Sequence, residues 1–210
     1  NLKRNPVTIT EGPLPINILR FAVPVILSGL LQLTFNAADI IVVGRCSGDT
    51  ALAAVTSSAP LINLLVNAFV GLSMGTNVVV AQALGRRDED YVERAVHACV
   101  LLGILVGLGI GVVGFFTAPV LLRLMGTPDT VMGEAALYLR IYFLGVPAMT
   151  VYNFASAVLR GSGDTRRPMN ILILCGAINL VLNLLFVLGF GMGVDGVAWA
   201  TAAANALSCV

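Results

Sequence analysis

One acidic residue, Asp39, lies inside an apolar stretch that runs from about residue 16 to residue 43. A carboxylate at membrane depth costs roughly 2.5–3.5 kcal/mol on insertion scales, so such residues are rare and usually functional. The chemistry open to a single carboxylate in such a place is to hold a cation or to exchange a proton. We therefore expect Asp39 to be the centre of a functional site.

Polar side chains recur at helical spacing in three of the apolar segments of this chain. They are Ser28, Gln32, Asn36 and Asp39 in the first segment, Asn179 and Asn183 in the fifth, and Thr201, Asn205 and Ser208 in the sixth. Steps of three and four residues place side chains on one face of a helix. Three helices are therefore each predicted to carry a polar stripe.

The composition indicates a membrane protein with several spans. Of its 210 residues 58% are hydrophobic and 11% are charged, whereas soluble domains carry about 25% charged residues. The net charge of +1 argues against nucleic acid as a partner. The sequence contains no nucleophile–histidine–acid set, metal-ligand spacing or phosphate-binding loop, so we expect neither an enzyme nor an organic cofactor.

Six segments are long and apolar enough to cross a bilayer as helices, which takes about 20 residues. We place them at residues 17–43, 51–84, 95–125, 134–159, 169–189 and 194–210. The predicted fold is an all-α integral membrane bundle of six helices. The last segment has only the minimum length and reaches the end of the sequence, so we expect the chain to be part of a longer protein.

Basic residues alternate between the two sides of this predicted bundle. Nine of the twelve lie before or at the start of the first span, or in the second-to-third and fourth-to-fifth connections; they are Lys3, Arg4, Arg20, Arg86, Arg87, Arg94, Arg160, Arg166 and Arg167. By the positive-inside rule these ends face the cytoplasm. We therefore predict a multi-pass protein of the cytoplasmic membrane with its N-terminus inside.

The three polar stripes are predicted to meet at one depth. Asp39, Asn183 and Thr201 each lie five or six residues from a glycine at the outward end of their segment. At a rise of about 1.5 Å per residue this is roughly 8–9 Å inside the outer boundary, with Asn179 one turn deeper. We therefore expect a single polar pocket in the outward half of the bundle.

The predicted pocket offers only oxygen ligands and suits a small monovalent cation. Asp39 would supply the charge, and Asn36, Asn179, Asn183 and Thr201 the neutral oxygens. Desolvation also favours the protonated form of a carboxyl group, so a proton would compete with the cation. The alternative for the amides and the hydroxyl is interhelical hydrogen bonding that only fastens the helices together.

Pro24 lies within the first predicted span, four residues before Ser28. A proline removes a backbone hydrogen bond and can bend a helix. Bending here would change access to Asp39. A static kink is the other interpretation, because prolines are common in membrane helices.

Aromatic and methionine residues concentrate in the fourth predicted span. Tyr138, Met149 and Tyr152, together with Gln32 of the first span, are our candidates for a cavity that accepts flat cationic compounds by stacking and cation–π contact. Lipid-facing aromatic residues are the more common explanation of such a set.

Five segments in their order along the chain resemble the multidrug and toxic compound extrusion (MATE) family of transporters. They are AVPVI at 22–26, NAADIIVVG at 36–44, AQALG at 81–85, LRGSGDT at 159–165 and GVDGVAWAT at 193–201. The resemblance covers essentially the whole chain, as the N-terminal lobe of such a transporter.

The resemblance implies twelve helices in two six-helix lobes that exchange organic cations for sodium ions or protons. It implies a first-span acidic residue, which Asp39 matches, and residues that Asn179 and Thr201 match in the fifth and sixth spans. Asn183 departs from the pattern, because some members have Asp there, and this leaves the coupling ion open. The family's bending of the first helix falls on Pro24, and the C-terminal lobe is the missing partner.

Two rival functions can be weighed on the sequence. A flippase of the same wider superfamily, moving a lipid-linked sugar, needs a strongly basic cavity to hold phosphates, whereas the basic residues here lie mostly in the predicted cytoplasmic loops. A non-catalytic membrane bundle would leave the cost of Asp39 unexplained.

Overall fold

The computed structural model describes residues 14–46, 48–86 and 89–209 of the chain. The described residues form α1 (Leu14–Cys46), α2 (Gly48–Gly85), α3 (Glu89–Leu124), α4 (Met132–Gly161), α5 (Arg166–Leu184), a π-helical turn (Leu185–Gly189) that continues α5, and α6 (Val194–Leu207). The described part contains no strand, and the predicted six-helix membrane fold is confirmed.

Five of the helices are long and apolar enough to cross a membrane, namely α1 to α4 and α5 with its π-helical turn. The sixth predicted span was to run to residue 210, but α6 has 14 residues and ends at Leu207. Residue 210 lies outside the described residues.

α4 is the centre of the bundle and packs against α2, α3 and α6. Among the five membrane-capable helices it has the largest buried share, and α1 has the smallest. Large side chains of α4 fill the core, including Leu139, Phe143 and Phe154, each at most 2% exposed. Because burial of apolar surface is not the driving force between helices in lipid, this close packing is what holds the bundle together.

Glycines of α3 allow this helix to approach α4 closely. A Cβ built on Gly107 would lie 2.8 Å from the Pro147 Cα atom of α4, and one on Gly103 would lie 3.0 Å from the ring of Phe154. Gly109, two residues along the same helix, has no heavy atom within 4 Å of such a Cβ. The α3–α4 interface therefore depends on the position of each glycine.

We call the end of the bundle that carries Arg86, Arg160 and Arg166 the basic end. α1, α3 and α5 begin there, and α2, α4 and α6 finish there. Asp39 lies near the opposite end of α1, seven residues before its last residue.

Gly107→Ala is expected to weaken the α3–α4 contact, because its new methyl group must displace backbone atoms of α4. Overpacking of this kind costs about 1–3 kcal/mol. The variant should melt several degrees below the Gly109→Ala variant, which makes the same chemical change in open space. Thermal unfolding of the detergent-solubilised full-length protein measures this, and equal melting temperatures would contradict the packing account.

Candidate cation site and central cavity

A chain of side-chain hydrogen bonds joins α1, α5 and α6 at Asp39. Asn183 Nδ2 donates to Asp39 Oδ1 and, at 3.2 Å, to Asn179 Oδ1. Asn179 Nδ2 in turn donates to Thr201 Oγ1 at 3.3 Å. The four residues predicted to share one polar pocket therefore lie together in the structure.

Local helix geometry orients each member of this network. Asn179 and Asn183 are four residues apart on α5, so their side chains lie one above the other. The hydroxyl of Thr201 donates to the carbonyl oxygen of Val197, one turn back on α6, at 3.0 Å. Because the only hydroxyl proton is used there, the oxygen of Thr201 is left to accept from Asn179.

The side-chain oxygen of Asn183 has no hydrogen-bond partner in the described structure, although the residue is fully buried. A buried acceptor without a donor costs about 1–3 kcal/mol. Its Nδ2 atom is fully committed to Asp39 and Asn179, so the oxygen of the same amide is left with unused lone pairs. Amide and carboxylate oxygens are ligands for hard cations, and the residues present fit such an ion.

Asp39 has no cationic partner among the described residues. The one ion pair in that part of the chain joins Arg167 Nε to Asp164 Oδ2 at 3.0 Å, at the basic end. An unpaired charge in an apolar bundle is costly unless a counter-ion or a proton neutralises it. The Asp39 site is therefore short of one positive charge.

A cavity of about 410 Å³ runs along the Asp39 site between α1, α2, α4, α5 and α6. All four residues predicted to line a substrate cavity do line it, namely Gln32, Tyr138, Met149 and Tyr152. Of the predicted cation ligands, Asp39, Asn36, Asn179 and Thr201 also face it. The α4 aromatic residues thus border an internal space rather than lipid.

Two predicted residues lie away from this cavity. Asn183 is buried behind Asp39 and is not part of the lining. Pro24 is buried in α1, where its carbonyl oxygen accepts a hydrogen bond from Ser28 Oγ at 2.7 Å. This hydrogen bond lies next to the position where the proline removes a backbone N–H donor from the helix.

Tyr142, another aromatic residue of the fourth predicted span, also lines the cavity, and the sequence interpretation missed three polar lining residues. They are Asn63 of α2 and Asn153 and Arg160 of α4. Those of α4 follow Tyr138 at helical intervals on one face, a signal that the spacing alone could have given. Asn63 has a polar neighbour four residues along α2, Asn67, but only the folded structure shows that Asn63 lines the cavity and Asn67 does not.

A larger concavity of about 630 Å³ lies between α2, α3 and α4. Its lining is apolar except for Thr117, and it contains none of the predicted site residues. Volume alone would favour it as the binding site, but it offers no charge and almost no polar group to orient a ligand. The chemistry therefore belongs to the smaller cavity.

A carboxylate beside an internal cavity of an apolar helical lobe is typical of ion and substrate pathways in membrane proteins. The MatE family model matches residues 24–185 of this chain. The chain belongs to the MATE family of multidrug transporters, and the resemblance noted in the sequence is confirmed.

Individual relatives agree with this membership. The chain is 32% identical over 192 residues to the probable multidrug resistance protein YpnP of Bacillus subtilis, covering 91% of this chain and 43% of YpnP. It is 36% identical over 185 residues to the probable multidrug resistance protein YoeA of the same organism, covering 86% and 40%. The chain thus spans less than half of the length of these relatives.

Solved structures show the same lobe. An outward-facing MATE multidrug transporter superposes with a TM-score of 0.89 at 27% identity, covering 100% of this chain and 46% of that one. A MATE crystal structure in the straight conformation gives 0.88 at 28% identity, covering 98% and 45%.

Asn183→Leu is expected to destabilise the folded lobe, because it leaves Asp39 Oδ1 and Asn179 Oδ1 without their donor. Each buried polar group left unpaired costs about 1–3 kcal/mol. Asn205→Leu makes the same change at a cavity-lining amide that has no side-chain hydrogen bond in the described structure. Thermal unfolding of both variants in the full-length protein should show a clearly larger loss for Asn183→Leu. Equal losses would mean that the network does not hold the three helices.

Proposed function

We propose that this chain is the N-terminal lobe of an antiporter that exports organic cations across the cytoplasmic membrane in exchange for a sodium ion or a proton. The observation that carries the proposal is the Asp39 carboxylate, which faces the cavity and has no cationic partner among the described residues. The names of several relatives, which are multidrug resistance or export proteins, support the substrate class.

Either coupling ion would act by neutralising Asp39. A sodium ion would draw on the carboxylate, the spare oxygen of Asn183 and the oxygens of Asn179 and Thr201. A proton would bind the carboxylate directly. In both cases the negative charge of Asp39 is neutralised. The hydrogen bond from Asn183 Nδ2 to Asp39, which joins α5 to α1, then weakens, because hydrogen bonds to a charged group are the stronger ones.

Exchange follows because the coupling ion and the organic cation depend on the same carboxylate. Asp39 is the only acidic residue among the described residues that line the cavity. An organic cation is attracted to it and can also stack on Tyr138 and Tyr142 by cation–π contact. An ion that neutralises Asp39 removes the attraction, and this opposition of the two ligands is reciprocal in free energy.

We place the conformational step in α1. Within this lobe it has the smallest buried share of the membrane-capable helices, so its motion would break the fewest contacts with the other helices of the lobe. Pro24 interrupts its backbone hydrogen bonds below the Asp39 site, and loss of the Asp39–Asn183 bond frees its upper half. Related MATE structures solved in bent and in straight conformations support a change of shape in this family.

Two features support the antiporter over its rivals. One basic side chain, Arg160, is found among the described cavity residues, whereas a flippase for lipid-linked sugars needs several to hold phosphates. A purely structural bundle gives no reason to retain an unneutralised carboxylate next to a cavity. The charge asymmetry of the connections supports a cytoplasmic N-terminus.

Asp39→Asn is expected to abolish coupled export, because the amide cannot bind a proton or supply a charge. Ethidium efflux driven by a sodium or a pH gradient, measured with the full-length protein in vesicles, should fall to the level of empty vesicles. Asp129→Asn, which removes an exposed carboxylate from the connection between α3 and α4, should leave efflux unchanged. Efflux that persists in the Asp39→Asn variant at equal expression would refute the proposal, and the gradient that drives the wild-type protein names the ion.

Pro24→Ala is expected to separate binding from transport. Alanine restores the backbone donor at residue 24 and stiffens α1, so efflux should fall several-fold while equilibrium ethidium binding stays within about two-fold. Pro60→Ala makes the same change inside α2 and should not affect efflux. Efflux at the wild-type rate in Pro24→Ala would show that bending at this residue is not needed.

A further inference from the structure

The concavity of about 630 Å³ between α2, α3 and α4 has no part in the proposed transport mechanism. We call it the α3 groove, and its walls include Leu61 and Leu65 of α2, Val106, Val113 and Leu121 of α3, and Phe143 of α4. None of the described residues of α3 lines the central cavity. The groove is therefore separate from the polar site around Asp39.

The α3 groove is held open by its backbone. Its floor is the ring of Phe143, which is 2% exposed and packs so closely on α3 that a Cβ built on Gly114 would lie 2.0 Å from it. A Cβ built on Gly109, by contrast, would have no heavy atom within 4 Å, so the groove contains free space at this position. A concavity left unfilled loses dispersion contacts along its walls, so an occupant is favoured.

The walls of the groove select an apolar occupant. The one polar side chain in the lining, Thr117, already donates its hydroxyl proton to the carbonyl oxygen of Val113 at 2.8 Å. Apolar concavities of this kind stay dry, so water does not fill the space. Gly109 and Val113 are exposed, which shows that the groove opens to the surface of the bundle. On a helix that crosses a bilayer, such a surface meets lipid acyl chains.

The groove has the length and the depth of a lipid chain. Val106 and Leu121 are 15 residues apart on α3, which corresponds to about 22 Å along the helix, and the hydrocarbon of one leaflet is about 15 Å thick. Leu121 lies three residues before the end of α3, whereas Val106 lies 17 residues after its start at Glu89. The groove therefore reaches the outward end of the helix and stops well short of the basic end.

A basic side chain lies just beyond the outward end of the groove. Arg123, in the last turn of α3, follows Leu121 by two residues and is exposed. It has no acidic partner within 4.0 Å in the described part of the chain. A long cationic side chain at this level can keep its charge among lipid headgroups and pair with a phosphate.

We propose that the α3 groove binds one phospholipid of the outward leaflet, with an acyl chain along Val106, Val113 and Leu121 and the phosphate at Arg123. The bound chain completes the packing between α2 and α3. The proposal does not depend on the transported molecule or on the coupling ion.

Phosphatidylglycerol and diacylglycerol that carry the same diazirine-labelled acyl chains provide a matched pair of probes, because only the first has a phosphate. The full-length protein is incubated with each probe in dodecyl maltoside, washed to remove loosely held lipid, and illuminated. Mass spectrometry then counts the bound lipid and locates the crosslinks. We expect one retained phosphatidylglycerol, with crosslinks at groove residues such as Val113 and few at Val112, which is equally exposed but outside the lining.

Two substitutions test the two ends of the site. Gly109→Leu fills the groove with protein and should lower retention of both probes about 10-fold or more, whereas Gly133→Leu, at an open helix position outside the groove, should not change it. Arg123→Gln should lower retention of phosphatidylglycerol several-fold and leave diacylglycerol unchanged. Arg166→Gln, the same change at the basic end, should affect neither probe.

Several results would overturn the proposal. Wild-type protein that retains no phosphatidylglycerol has no such site. Crosslinks at Val112 but not in the groove would mean that protein covers the groove, and retention that survives in Gly109→Leu would place the lipid elsewhere. Equal losses of both probes in Arg123→Gln would show that this residue does not bind the phosphate.

Discussion

The hydrogen bond between Asn183 and Asp39 is the interaction on which the rest of this lobe depends. It brings α5 against α1 in the apolar part of the bundle, and the same amide extends the contact through Asn179 to Thr201 on α6. Buried polar networks are stable only when their members are satisfied. This one lacks a donor at the Asn183 oxygen and a positive charge at the carboxylate among the described residues, so the helices are joined by a contact that the proposed coupling ion would alter.

The bundle divides into a rigid part and a part that can respond to such a change. α4 is held by apolar side chains and by the close approach of Gly107 to Pro147, and it forms one wall of the cavity. α1 forms the facing wall and has little of its surface buried. Because packed interfaces switch between discrete arrangements rather than deform smoothly, the weakly packed α1 is the element suited to move against a fixed α4.

Much of the fold and the composition of the site could be predicted, because helical periodicity and the cost of charge in lipid act at the level of short segments. Spacing alone placed Asp39, Asn179, Asn183 and Thr201 near one another. The direction of each hydrogen bond, the burial of Asn183 behind the carboxylate and the extension of the cavity to Arg160 depend on tertiary packing.

The presence of Asn rather than Asp at position 183 has an electrical consequence. Under the proposed exchange, Asp39 as the only carboxylate among the described residues of the site lets this lobe neutralise one elementary charge, and exchanging one monovalent ion for one singly charged compound would move no net charge across the bilayer. A membrane potential contributes about 2.3 kcal/mol per charge per 100 mV, and an electroneutral exchange cannot use it. The drug gradient that such an exchange sustains would then equal the concentration ratio of the coupling ion, whatever the membrane potential.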